Sequence, residues 1–164
     1  MARYFPLPTH VREALAQVQP SRDGDLVYYP CRAVLNTSEA FDTVYIVPEK
    51  PYLEHWGVYP EDDRYKHSIR IEDIAEVGES PLRLPARFAD ELYAKGESGM
   101  GYTIFTVVFA DGLRQACVTG NAVDFIHYPV GKGPADVVGV LPHEGRRDES
   151  LVKAPEWYWC LYSE

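Results

Sequence analysis

Hydrophobic and polar residues alternate along most of this chain with the period of two that marks β-strands, and only two stretches carry the helical period. Val11, Leu15 and Val18 recur at i, i+4 and i+7, which predicts a short helix over residues 9–18. Thr9 is its expected cap and Pro20 its stop. Phe88 and Leu92 stand four apart and predict a second helix over 85–95, with Pro85 at its first position, Lys95 in its last turn and Gly96 just beyond. Residues 26–35 (LVYYPCRAVL) and 43–47 (TVYIV) are rich in β-branched and aromatic types and read as strands, Pro30 marking an edge or a bulge. Residues 67–71 and 74–78 read as further strands. Between them residues 48–66, crowded with proline and tyrosine and without a clear period, read as a long loop with a short strand near Trp56–Tyr59. Loops of that length in compact domains tend to carry function or to be mobile.

The clearest signal runs from 102 to 141. YTIFTVVFA, Asp111-Gly112 and LRQACVT predict a hairpin, Asp-Gly being a preferred type I′ pair. A turn at Gly120-Asn121, a third strand AVDFIHY, a connection PVGKGPA and a fourth strand DVVGVL complete an antiparallel meander. YTIFTVVFA is apolar on both faces and is expected at the centre. WYWCLY, residues 157–162, is a last strand with Trp157, Trp159 and Leu161 on one face and Tyr158, Cys160 and Tyr162 on the other. Eight or nine strands and two short helices make a β-rich α+β fold, an antiparallel meander in a bent sheet or small barrel. With 164 residues, the chain is expected to form a single domain, 1–164.

Charge narrows the function classes. Sixteen basic and 25 acidic residues give a net charge of −9, which repels phosphate backbones and argues against nucleic acid as a partner. No run approaches the ~18 apolar residues of a membrane span, so a membrane partner is not expected either. The three cysteines, Cys31, Cys117 and Cys160, are widely spaced and lack C-x-x-C, which predicts buried thiols rather than disulfides or a zinc site. With no apolar leader at residues 1–20, a cytoplasmic location is expected. No histidine pair has metal-binding spacing, and neither metal nor other cofactor is implied.

The meander sorts residues by sheet end. With 102–110 running upward, Asp111, His127 and Lys132 lie at the top, where Gly131-Lys132-Gly133-Pro134 reads as a hairpin loop rather than a phosphate loop. Glu97, Ser98, Tyr102, Asn121, His143, Glu144 and Arg146 gather at the bottom. Gly96-Glu97-Ser98-Gly99-Met100 resembles a nucleophile elbow only in part: the fifth position is Met, and the order is helix–Ser–strand. Ser98 and His143, with Glu97 or Glu144 as orienting carboxylate, would nonetheless make a Ser–His–carboxylate set, His143 taking the hydroxyl proton. Tyr102, Asn121 and Arg146 are the candidate binding residues beside it. Tyr52, Trp56 and Tyr59 form a second candidate surface, since Tyr and Trp give large contact area with a polar tip.

Without a complete catalytic motif, the expected function is a non-enzymatic protein-binding module of the adaptor or immunity kind, with a protein partner or a homodimer. The alternative is a small hydrolase or transferase using Ser98 and His143.

Overall fold

A computed structural model describes residues 3–164. The fold is mixed α+β, with three α-helices and two sheets among the described residues, of six and four strands. The chain divides into two compact units. Unit 1 comprises Met1–Ser80 and Glu156–Glu164, and unit 2 comprises Pro81–Pro155.

Unit 1 is built on β1 (Ser21–Asp23), β2 (Leu26–Leu35), β3 (Ala40–Pro48), β4 (His67–Ser68), β5 (Ile74–Gly78) and β10 (Tyr158–Tyr162). The order is β1-β2-β3-β10-β4, with β5 also paired to β2. WYWCLY is an inner strand: β10 runs parallel to β3 on one side, Trp159 opposite Tyr45, and parallel to β4 on the other. Its two-faced apolar pattern follows from that position. On one face Trp159 joins the rings of Tyr28, Tyr45, Tyr52 and Trp56. On the other, Cys160 and Tyr162 pack with Val44, Ile46 and Ile74 and with Val11 and Leu15 of helix α1 (Thr9–Leu15). Pro30 sits where β2 passes from its β1 partner to its β5 partner, beside a register shift between Cys31 and Ala33. The missing N–H is thus tolerated in a strand that is paired on both sides elsewhere.

Unit 2 holds β6 (Thr103–Phe109), β7 (Arg114–Thr119), β8 (Val137–Pro142) and β9 (Val152–Lys153), in the order β8-β6-β7-β9. β6 is central, as its two apolar faces require. Helix α3 (Ala86–Lys95) lays Phe88, Ala89 and Leu92 on a core with Phe105, Val107, Phe109, Val137 and Val140.

Several sequence expectations need correction. The sheets are not purely antiparallel, because β10 pairs in parallel with β3 and β4, and β9 with β7. The small-barrel option lacks support: neither sheet closes on itself among the described residues. AVDFIHY is not a strand of the meander. Leu84 N–H donates to the Asp124 carbonyl (2.7 Å) and Ile126 N–H to the Leu82 carbonyl (3.0 Å), so this segment pairs with the chain ahead of α3. One of its main-chain groups bonds to a side chain: the Tyr93 hydroxyl accepts the Val123 N–H at 3.0 Å and donates to the buried Asp124 carboxylate. β8 therefore lies directly against β6, still antiparallel to it. The β6–β7 turn is not type I′. Gly112 N–H donates to Phe109 O (2.9 Å), and Gly112 alone in the turn has positive φ (+88°), which makes a type I turn followed by a left-handed glycine. Thr9 does not cap α1, whose N-cap is Pro8.

The expected loop at 48–66 contains helix α2 (Glu49–Trp56) and a 3₁₀ turn at Pro60–Asp62. Pro51 falls within the first helical turn, where no N–H is owed, and Gly57 (φ +82°) ends the helix in the left-handed region.

Candidate functional site

The lower end of the unit 2 sheet is assembled from two loops. β6 is entered from 96–102, where Ser98 N–H donates to the Tyr102 carbonyl at 3.0 Å. β8 is left at Pro142, opposite Phe105, and His143 N–H donates to the Ile104 carbonyl at 2.8 Å. This register brings Ser98 and His143 together: Ser98 Oγ lies 2.7 Å from His143 Nδ1. His143 Nε2 lies 3.2 Å from the Lys95 carbonyl oxygen, which can only accept. In the tautomer with its proton on Nε2, Nδ1 accepts from the Ser98 hydroxyl, whose oxygen also lies 3.3 Å from the Ile104 carbonyl oxygen. His143 itself has φ +65°, an uncommon conformation for a side-chain-bearing residue.

The orienting group is a main-chain carbonyl and not the expected carboxylate. Glu97 instead accepts the Gly101 N–H through Oε2 at 3.2 Å. Ser98 Oγ also accepts the Ile104 N–H at 2.8 Å. Arg146 Nη1 donates to the Tyr102 hydroxyl at 2.9 Å, and its guanidinium carbon lies 5.4 Å from that ring's centre. Asn121 Oδ1 is enclosed with no hydrogen-bond donor among the described residues. Ser98, His143, Tyr102 and Arg146 thus meet, and Glu97 belongs to the same loop without touching His143. An acyl-transfer site also needs N–H donors aimed at a developing oxyanion. Here Gly99 and Tyr102 exchange their N–H groups at 3.3 Å each way, and Gly101 gives its own to Glu97.

At the other end of this sheet, Lys132 pairs with Asp111 and holds its carboxyl below the usual range. No three His, Cys, Asp or Glu residues gather to hold a metal ion among the described residues.

Unit 1 distributes its aromatic candidates differently. Tyr52 is fully buried and offers no surface, which corrects its assignment to a binding loop. Trp56 is half-buried, stacked on Tyr52 with ring centres 6.0 Å apart. Lys66 closes over these rings, its Nζ 4.1 Å from the Trp56 centroid and 3.1 Å from the Tyr52 hydroxyl. Burial pushes the Lys66 ammonium below the ordinary lysine range, with Asp63 opposing, and raises the Tyr52 phenol. Between these anchors the chain runs outward: Val58 is 47% and Tyr65 81% exposed, while Pro60 is buried. Tyr59 is half-buried, and Glu61 and Asp62 face solvent. Tyr65 belongs to the aromatic group that the sequence already sets apart in 52–65, whereas the anchoring role of Lys66 is not visible in the sequence. The i, i+4 spacing of Tyr52 and Trp56 ahead of Gly57 was the available signal.

The chain matches no family model, no curated protein and no solved structure. Among the described residues, no helix is long and apolar enough to cross a membrane.

Proposed function

We propose that this protein is a non-enzymatic docking module that binds a basic protein partner through residues 57–65. The observation that carries this reading is the exposure of Tyr65 and Val58 on an acidic segment pinned at both ends, by Trp56 and by Lys66. A pinned segment loses little freedom on binding, and tyrosine is enriched in interface centres. A net charge of −9 favours a basic partner and disfavours nucleic acid. Three buried cysteines suit a reducing compartment such as the cytoplasm.

The test is a photo-cross-linking amino acid at position 65, with position 130 of unit 2 as a still more exposed control, in the protein's own cells. A partner captured at 65 and not at 130 is then purified and titrated. Tyr65→Ala should weaken its binding by about tenfold, roughly 1.4 kcal/mol. Equal capture at both positions, or affinity unchanged by Tyr65→Ala, rejects the reading.

The 2.7 Å Ser98–His143 hydrogen bond favours one second reading, a small hydrolase or transferase. Ser98 would supply the nucleophile and His143 would take its proton. A fluorophosphonate should then label Ser98 in the wild type and fail to label His143→Ala. Folded wild-type protein that stays unlabelled removes this alternative.

A further inference from the structure

Arg3 occupies a small site that is chemically suited to an arginine. Its guanidinium carbon lies 3.9 Å from the centre of the Tyr59 ring, and its Nη1 donates to Asp62 Oδ2 at 3.2 Å. Tyr4 stands beside Tyr59, ring centres 5.9 Å apart and tilted by 53°. The Tyr4 hydroxyl donates to Glu61 Oε2 at 2.6 Å and fixes that carboxylate on the same rim. An aromatic face with a carboxylate beside it is the arrangement a planar guanidinium prefers over a compact ammonium. Next to it opens a cavity of about 490 Å³, lined by Arg3, Tyr4, Phe5, Glu61, Ile69 and Glu72 among others.

The hold on Arg3 is weak. Its side chain is 40% and that of Asp62 57% exposed, and exposed ion pairs and cation–π contacts each contribute little. Arg3 persists there because its tether makes it an intramolecular occupant at high effective concentration. An arginine from elsewhere, brought in with further contacts, would compete.

We propose that the Tyr59–Asp62 face is an arginine-binding site, filled by the chain's own Arg3 until an arginine side chain of the basic partner displaces it. The inference rests on the docking reading above and names the group by which the partner is recognised.

The probe is the blocked tripeptide acetyl-Gly-Arg-Gly-amide, with the Lys and Gln analogues as controls, followed by NMR through the backbone amide signals of residues 58–63, which every variant retains. Removing the tethered competitor in Arg3→Ala should tighten binding of the Arg peptide by about tenfold relative to wild type. Arg3→Gln, which keeps a polar stem, should do the same. Adding Tyr59→Ala or Asp62→Asn should abolish the gain, and the Lys and Gln peptides should gain little. Absence of a gain in both Arg3 variants overturns the proposal, as does an equal gain for the Lys peptide. Neither result touches the cross-link at position 65, so failure of this site and failure of the docking reading are told apart.

Discussion

A serine hydroxyl has one proton to donate and two lone pairs, and a lone pair that accepts a main-chain N–H is no longer free for attack. Ser98 already accepts a buried main-chain N–H, that of Ile104, and its proton goes to His143. This bonding suits a latch that closes the end of a sheet. Ser98→Ala would leave the Ile104 N–H without its acceptor, and the expected cost is about 1–3 kcal/mol, read by chemical denaturation. Unchanged stability would mean the bond is dispensable and would strengthen the nucleophilic reading. Gly145 tests the same loop from the other side. It has φ +113°, and a Cβ there would lie 2.7 Å from Ala116 Cβ. Gly145→Ala should therefore destabilise by about 2 kcal/mol or more, since both strain and overpacking act at once. Cys117 gives a prediction in pH. Burial pushes its thiol up to about 11, from an ordinary value of 9.0. The folded state holds the proton more tightly than the unfolded state, so the stabilisation is complete below pH 9 and fades as pH rises towards 11. Stability measured by denaturant across that window should fall less steeply in Cys117→Ala, by of order 2 kcal/mol in total.

At the scale of elements, α2 is a short helix whose value lies in what it anchors. Tyr52 and Trp56 fix it to Trp159, and Lys66 returns the outgoing segment to the same rings. Trp56→Ala should cost about 2 kcal/mol, below the value for a fully buried tryptophan. It should also raise hydrogen exchange across 57–66 while leaving 102–119 unchanged. Exchange that stays slow at Lys66 would show that the segment is held by other means. The sequence was legible where one face or both faces of a strand are buried: β2 and β6 stand where their apolar patterns put them, and α3 ends at Gly96. It misled where a local rule was overridden. The prolines of 48–66 hide a helix, because Pro51 falls in its first turn, where proline is tolerated. AVDFIHY has the composition of a strand, but its main chain bonds to Leu82 and Leu84 ahead of α3, and its Val123 N–H goes to the Tyr93 hydroxyl. The candidate site was legible in part. Both the expected meander and the actual order leave β8 antiparallel to β6, so His143 reaches the end where Ser98 lies. Long-range pairing of β10 was not legible, since no periodicity says which strands will be neighbours.

Across the whole molecule, the two units are unequal in sequence continuity. Unit 2 is one uninterrupted segment, whereas unit 1 needs both ends of the chain. Ending the chain after Pro155 would remove β10 from between β3 and β4 and take Trp159 from the rings of Tyr28, Tyr45, Tyr52 and Trp56. The truncated protein should lose hydrogen-exchange protection through β2 and β3 while keeping it in β6 and β7. Protection retained in β3 would show that the first five strands of unit 1 hold together alone. The position of β10 also sets an order of events during synthesis. A ribosome delivers β3 long before β10, and unit 2 is complete before β10 emerges. Until then β3 carries an unpaired apolar edge, which is the kind of surface that chaperones cover and that aggregates seed upon. The nascent chain must therefore keep its first half waiting while its middle folds, and a stall in translation between codons 81 and 157 would lengthen that exposure.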